Sequence, residues 1–110
     1  RKRPWSNAVP TVADGIRFPS KLEARVYGIL RASLAPGERI YRQIRLPLLS
    51  IAPRDGGLPL YITIDFCVVR ADGSRLWVDA KGRRKGREWT RGKAAAEAAW
   101  SVKIEEWNPR

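Results

Sequence analysis

The chain is expected to fold as a single α/β (α+β) domain of order α-β-β-β-α-β, a mixed four-stranded sheet flanked by helices. Three observations predict this. The apolar residues of 20–34 recur with a helical period, whereas those of 40–70 recur with a period of two. An alanine-rich helical stretch then separates two further strand-like segments, which requires a crossover and sets the last strand parallel to the third. A length of 110 residues and a hydrophobic fraction of 44% bound the chain to one small domain with a modest core.

Residues 1–13 hold Pro4 and Pro10, the basic triplet Arg1, Lys2, Arg3 and little periodicity. They read as a basic flexible arm, with the folded domain over 14–110. The first helix is expected from Ser20, where Ser20-Lys-Leu-Glu23 fits a capping box. Leu22, Val26, Tyr27, Ile29, Leu30 and Leu34 form its apolar stripe, and Pro36-Gly37 ends it.

From Ile40 the period is two. Ile40, Arg42, Ile44, Leu46 and Leu48 share one face, and Tyr41, Gln43 and Arg45 the other. Pro47 confines this strand to a sheet edge or a bulge. Pro53 to Gly57 reads as a turn. The second strand spans about 60–70, with Leu60, Ile62, Ile64, Phe66 and Val68 inward and Asp65 among the opposite set. Ala71-Asp72-Gly73 then turns the chain into Arg75–Lys81. A two-residue loop would leave Asp65 and Asp79 on different faces. A three-residue loop with Gly73 in the left-handed conformation sets them opposite each other, and the sequence suits that loop. The second helix is expected over about 87–100, weakened by Gly92, and the last strand over Val102–Trp107.

Composition narrows the chemistry. Histidine is absent and Cys67 is the sole cysteine, which excludes an internal disulfide, a thiolate or imidazole zinc site and every histidine-assisted nucleophile. Catalysis, if present, runs on carboxylates, lysine, tyrosine or a bound metal. The net charge of +11 points to a polyanionic partner, and Arg83, Arg84, Lys85, Arg87, Arg91 and Lys93 crowd one stretch with Glu88 as its only acid. No apolar run reaches membrane-spanning length and no secretory leader is visible, so a membrane role is not expected.

Asp65 interrupts an apolar strand, where an uncompensated carboxylate is costly. Asp79-Ala80-Lys81 places an acid and an ammonium on one face of the next strand. Asp65 and Asp79, with the Ala80 carbonyl, suit Mg²⁺ or Mn²⁺, and Lys81 suits a phosphate or attacking water. Glu23 completes the cluster if the first helix starts nearby; its other reading is a capping residue only. Asp79 and Lys81 taken alone equally describe an exposed strand pair, and the basic run a solvated loop. Gln43 is a weaker candidate for orienting water or phosphate. The basic run positions backbone phosphate rather than reading sequence. The residues thus suggest a metal-dependent nuclease.

With Glu23, Ile64-Asp65 and Asp79-Ala80-Lys81 in this element order, the chain resembles the PD-(D/E)XK nuclease superfamily. Asp14-Gly-Ile-Arg-Phe-Pro-Ser-Lys-Leu-Glu-Ala-Arg-Val-Tyr27 and Val78-Asp-Ala-Lys-Gly82 look like its small phage branch, related to endonuclease I and to Holliday-junction resolvases. The likeness covers about residues 14–107. It implies a restriction-endonuclease-like core, Glu23, Asp65 and Asp79 as metal-binding acids and Lys81 as catalytic lysine. It also implies branched DNA as substrate, a homodimer making two symmetric cuts, no nucleotide cofactor, and a cytoplasmic setting in a phage or prokaryotic host cell. Ile64 stands where the signature proline is usual, and Asp79 where Glu is more frequent, which shortens that ligand by one methylene. Other readings of the same residues are a duplex-nicking or restriction-like nuclease, a non-catalytic nucleic-acid-binding module on a nuclease scaffold, and a basic packing protein.

Overall fold

A computed structural model describes residues 9–48, 60–81 and 86–109. The elements are β1 (Thr11–Ala13), β2 (Ile16–Phe18), α1 (Lys21–Ala32), β3 (Arg39–Pro47), β4 (Tyr61–Val69), β5 (Arg75–Ala80), α2 (Arg87–Trp100) and β6 (Ile104–Trp107). The expected α-β-β-β-α-β order is present, with a hairpin in front of it.

That hairpin revises the extent of the arm. Thr11 to Ala13, expected to be part of it, pair antiparallel with Ile16–Phe18. Asp14 and Gly15, with φ of 53° and 74°, make the two-residue connection in which both central residues take positive φ. The Asp14 carboxylate accepts a hydrogen bond from the Tyr27 hydroxyl at 2.9 Å and pairs with Arg31 at 3.5 Å, tying the hairpin to α1. The more N-terminal part of the arm, residues 1–8, lies outside the described residues, as does the turn expected at Pro53 to Gly57.

Helix α1 starts as its sequence suggests. Ser20 is extended and its hydroxyl accepts the Glu23 N–H at 3.1 Å, satisfying one of the free donors of the first turn. The helix stops at Ala32, short of Leu34, because Pro36 disfavours helical geometry at Ala35 and Gly37 (φ 85°) turns the chain back. Ala24, Val26, Tyr27 and Leu30 are buried, whereas Ile29, expected in the stripe, is exposed.

The main sheet has the order β3-β4-β5-β6, antiparallel except for the parallel β5–β6 pair that the α2 crossover joins. Pro47 ends the edge strand β3, where its missing donor costs no ladder bond. One core, beneath α1, gathers Phe18, Val26, Tyr27, Leu30, Phe66, Val68, Val78 and Ala80. A second gathers Leu46, Leu48, Ile64, Ala96 and Ile104 against α2. Each fully buried apolar side chain contributes roughly 1.5–3 kcal/mol by leaving water. No helix among the described residues is long and apolar enough to cross a membrane.

The two cores expose a second departure from simple alternation. Ile40, Phe66 and Val68 pack on the α1 side, but Ile44, Leu46, Ile62 and Ile64 pack on the α2 side. Residues of one parity, expected on one face, are therefore split between two. The switch falls at Gln43, which has a φ of 52° inside the strand. No residue is inserted, since Arg42 faces Phe66 and Ile44 faces Ile64. In β3 the left-handed residue turns over the side chains that follow, and in β4 the same change of face falls across the sheet from it, at Asp65.

The β4–β5 connection is the expected three-residue loop. The Arg70 N–H reaches the Ser74 carbonyl at 2.8 Å, the Gly73 N–H reaches the Arg70 carbonyl at 2.9 Å, and Gly73 takes a φ of 87°. Glu38 braces the loop by accepting from the Ala35 and Ala71 N–H groups, and these bonds hold its carboxyl below the usual range. With Phe66 facing Val78, the next rung sets Asp65 opposite Asp79.

Candidate active site

A row of polar residues crosses the sheet from edge to edge. Gln43 on β3 lies opposite Asp65 on β4, Asp65 opposite Asp79 on β5, and Asp79 opposite Glu106 on β6. The three-residue loop aligns the middle pair, and the parallel crossover aligns the last.

At the centre of the row the main-chain ladder gives way to side chains. The Asp65 N–H donates to Asp79 Oδ1 at 3.2 Å, and the Ala80 N–H donates to Asp65 Oδ2 at 2.9 Å. Gln43 Nε2 donates to Asp65 Oδ1 at 3.3 Å. Each aspartate thus fills a place that a backbone carbonyl would take in an unbroken ladder. Asp79 is only 2% exposed and Asp65 half-buried, so both carboxylates are fixed in orientation. A cleft of about 750 Å³ opens beside them, lined among others by Gln43, Glu88, Trp89 and Arg91.

The donor set here is all oxygen: two adjacent carboxylates whose hydrogen-bonded oxygens keep further lone pairs, and the neighbouring Ala80. That set fits a hard divalent cation, which needs only one or two protein carboxylates beside water and phosphate. The structure does not gather Glu23 into a three-acid cluster with them. Among the described residues no group of three or more acidic, cysteine or histidine side chains is placed to hold a metal. Helix α1 covers the face that carries Phe66, Val78 and Ala80, whereas Asp79 alternates with them and shares the α2 face with Trp77 and Glu106. The main-chain N–H of Glu23 donates to the Ser20 hydroxyl at 3.1 Å, capping α1.

Lys81 lies two residues beyond Asp79, with its N–H on the Trp107 carbonyl at 2.8 Å. Its ammonium rests on Glu106 Oε1 at 2.9 Å. Lys93 from α2 takes the other oxygen at 2.8 Å, and the Trp89 indole N–H approaches it at 3.5 Å. The ammonium of Lys81 and then that of Lys93 outweigh desolvation and lower the Glu106 pKa to about 2.

The remaining cations divide. Lys93, expected to meet phosphate, is turned inward to Glu106. Arg87 and Arg91 are exposed at the start of α2, with Arg91 on the cleft. Arg83, Arg84 and Lys85 lie outside the described residues. Cys67 is buried, and burial pushes its thiol pKa up, which suits a packing residue.

Glu106 is the residue that sequence reasoning missed. Its signal was faint: in Ile104-Glu-Glu-Trp107 it shares parity with the inward Ile104, so it faces a helix carrying Lys93. No family model, no curated protein and no solved structure matches the chain.

Proposed function

We propose that the chain is a divalent-metal-dependent, structure-selective DNA endonuclease, a Holliday-junction resolvase that works as a homodimer. The observation that carries this reading is the locked pair Asp65–Asp79, with Lys81 two residues along the same strand. A Mg²⁺ or Mn²⁺ ion held by Asp65, Asp79 and the Ala80 carbonyl would supply charge neutralisation and an activated water. The chain's own part is to hold both carboxylates aimed through the Ala80, Asp65 and Gln43 donors. Lys81 offers a cation beside them for the phosphate. Arg87 and Arg91 bring the DNA backbone to the cleft without reading bases, and branched DNA satisfies a chain that positions phosphates by shape.

The test is cleavage of a labelled four-way junction and a matched linear duplex with Mg²⁺ or Mn²⁺. Paired symmetric cuts confined to the junction are expected, and Asp65→Asn should bind the junction yet not cut it. Equal cutting of duplex would point to a nicking enzyme, and binding without cutting under either metal to a non-catalytic DNA-binding module. Normal cutting by Asp65→Asn would discard the metal site.

A further inference from the structure

We propose that Glu106 is a positioning residue of this site, which acts through Lys81 by clamping its ammonium, together with that of Lys93, alongside the Asp65–Asp79 pair. The inference rests on the nuclease reading and extends it to a strand and a helix that the Asp-x-Lys segment does not contain.

Three observations converge. Register places Glu106 directly beside Asp79, so its carboxylate joins the same row from the far edge of the sheet. Each of its oxygens is held by a different ammonium, Lys81 at 2.9 Å and Lys93 at 2.8 Å. Finally, the Glu106 side chain is 18% exposed and Lys93 25%, against 41% for Lys81. The anchor is therefore the enclosed member, and Lys81 the one that reaches outward.

The charge count separates this arrangement from an ordinary ion pair. One lysine would neutralise Glu106; two leave the trio with a net positive charge beside two carboxylates. A lysine on a free four-carbon stem samples many rotamers, and ordering it costs up to about 2 kcal/mol. A fixed carboxylate removes that cost before substrate arrives. Because both its oxygens are occupied by ammonium groups, Glu106 serves the cations and not a metal. Lys93 belongs to the same device: it fixes the second oxygen, and with it the direction in which the first faces Lys81.

The experiment measures single-turnover cleavage and junction affinity for the full chain and for Glu106→Gln, Lys81→Ala, their double variant, and Lys93→Met. Glu106→Gln should slow cleavage about 10- to 100-fold, as misplacement of a reacting group does, with affinity nearly unchanged. Lys81→Ala should slow it at least as much. The double variant should be no slower than Lys81→Ala, since Glu106 has nothing left to position. A purely structural glutamate would instead multiply the two losses. Lys93→Met keeps the Glu106–Lys81 ion pair and should give a smaller loss that also vanishes in a Lys81→Ala background. If Glu106→Gln does not fold by thermal melt, that second cycle decides. Cleavage by Glu106→Gln at the wild-type rate, or full multiplication of losses, overturns the proposal while leaving the nuclease reading intact. A wild-type chain that cuts no DNA overturns both.

Discussion

Gln43 holds a backbone conformation that L-residues avoid at roughly 1–2 kcal/mol, and it does so inside a strand. In return it makes one long 3.3 Å bond to Asp65. The strain is offset by the turn of Ile44 and Leu46 onto the α2 side as well as by the place it gives Gln43 beside Asp65. Replacing it separates the two roles. Gln43→Gly removes the strain but loosens the unfolded chain, and the net change should lie between zero and about 1 kcal/mol of added stability. Gln43→Val places a β-branched residue at positive φ and should lose about 1–2 kcal/mol or more. Urea denaturation of both variants checks this; equal destabilisation by Gly and Val would show that strain is not what Gln43 carries. Nothing local announced that conformation. The alternation Ile40, Arg42, Ile44, Leu46 runs through Gln43 unbroken, whereas Asp65, Asp79 and Lys81 were legible because charge in an apolar strand needs a reason.

Among the elements, those whose limits are written in local chemistry were readable: the Ser20 cap of α1, the Ala-Asp-Gly loop, and α2, which spans Arg87–Trp100 as its periodicity implied. The β1–β2 hairpin carried the same type of signal in Asp14-Gly15, but its strands of three residues are too short to show a period. The place of Glu106 beside Asp79 was beyond reach for a different reason. The register of a parallel pair is set by how far the crossover helix carries the chain, and no local pattern encodes that distance. Gly92 shows how packing reverses a propensity argument. It weakens an isolated helix by about 1 kcal/mol relative to Ala. In the fold, however, a Cβ there would lie 2.5 Å from Ile62 Cγ2, a methyl on a stiff β-branched stem. Gly92→Ala should therefore destabilise, by about 1–2 kcal/mol net, because overpacking outweighs the helix gain. Thermal melts would show a lower midpoint, and Gly92→Ala with Ile62→Val should recover part of it. A midpoint raised by Gly92→Ala alone would mean that α2 does not sit this close to β4.

Taken whole, the molecule carries a net charge of +11 with twice as many basic as acidic residues, an imbalance that no apolar core requires. Its consequence is electrostatic: cations that meet phosphates release counterions from DNA, so affinity falls with salt by a slope of about 0.9 per phosphate contacted. The fold divides the cations into two groups with different expected effects. Arg87 and Arg91 are exposed at the head of α2, Arg91 on the wall of the cleft, whereas Lys93 two residues further is held at 2.8 Å by Glu106. Composition alone treats all three as equivalent. Anisotropy titrations of labelled junction DNA across a salt series should give a steep log–log slope, about 4–5 if some five phosphates are contacted. Arg87→Ala and Arg91→Ala should each flatten it by about 0.9. Lys93→Met should leave the slope unchanged, since its ammonium is held on Glu106 and not offered to a phosphate. A slope lowered as much by Lys93→Met as by Arg91→Ala would place Lys93 on the DNA and break the clamp on Glu106; a flat salt dependence for the whole chain would remove the polyanion as its partner.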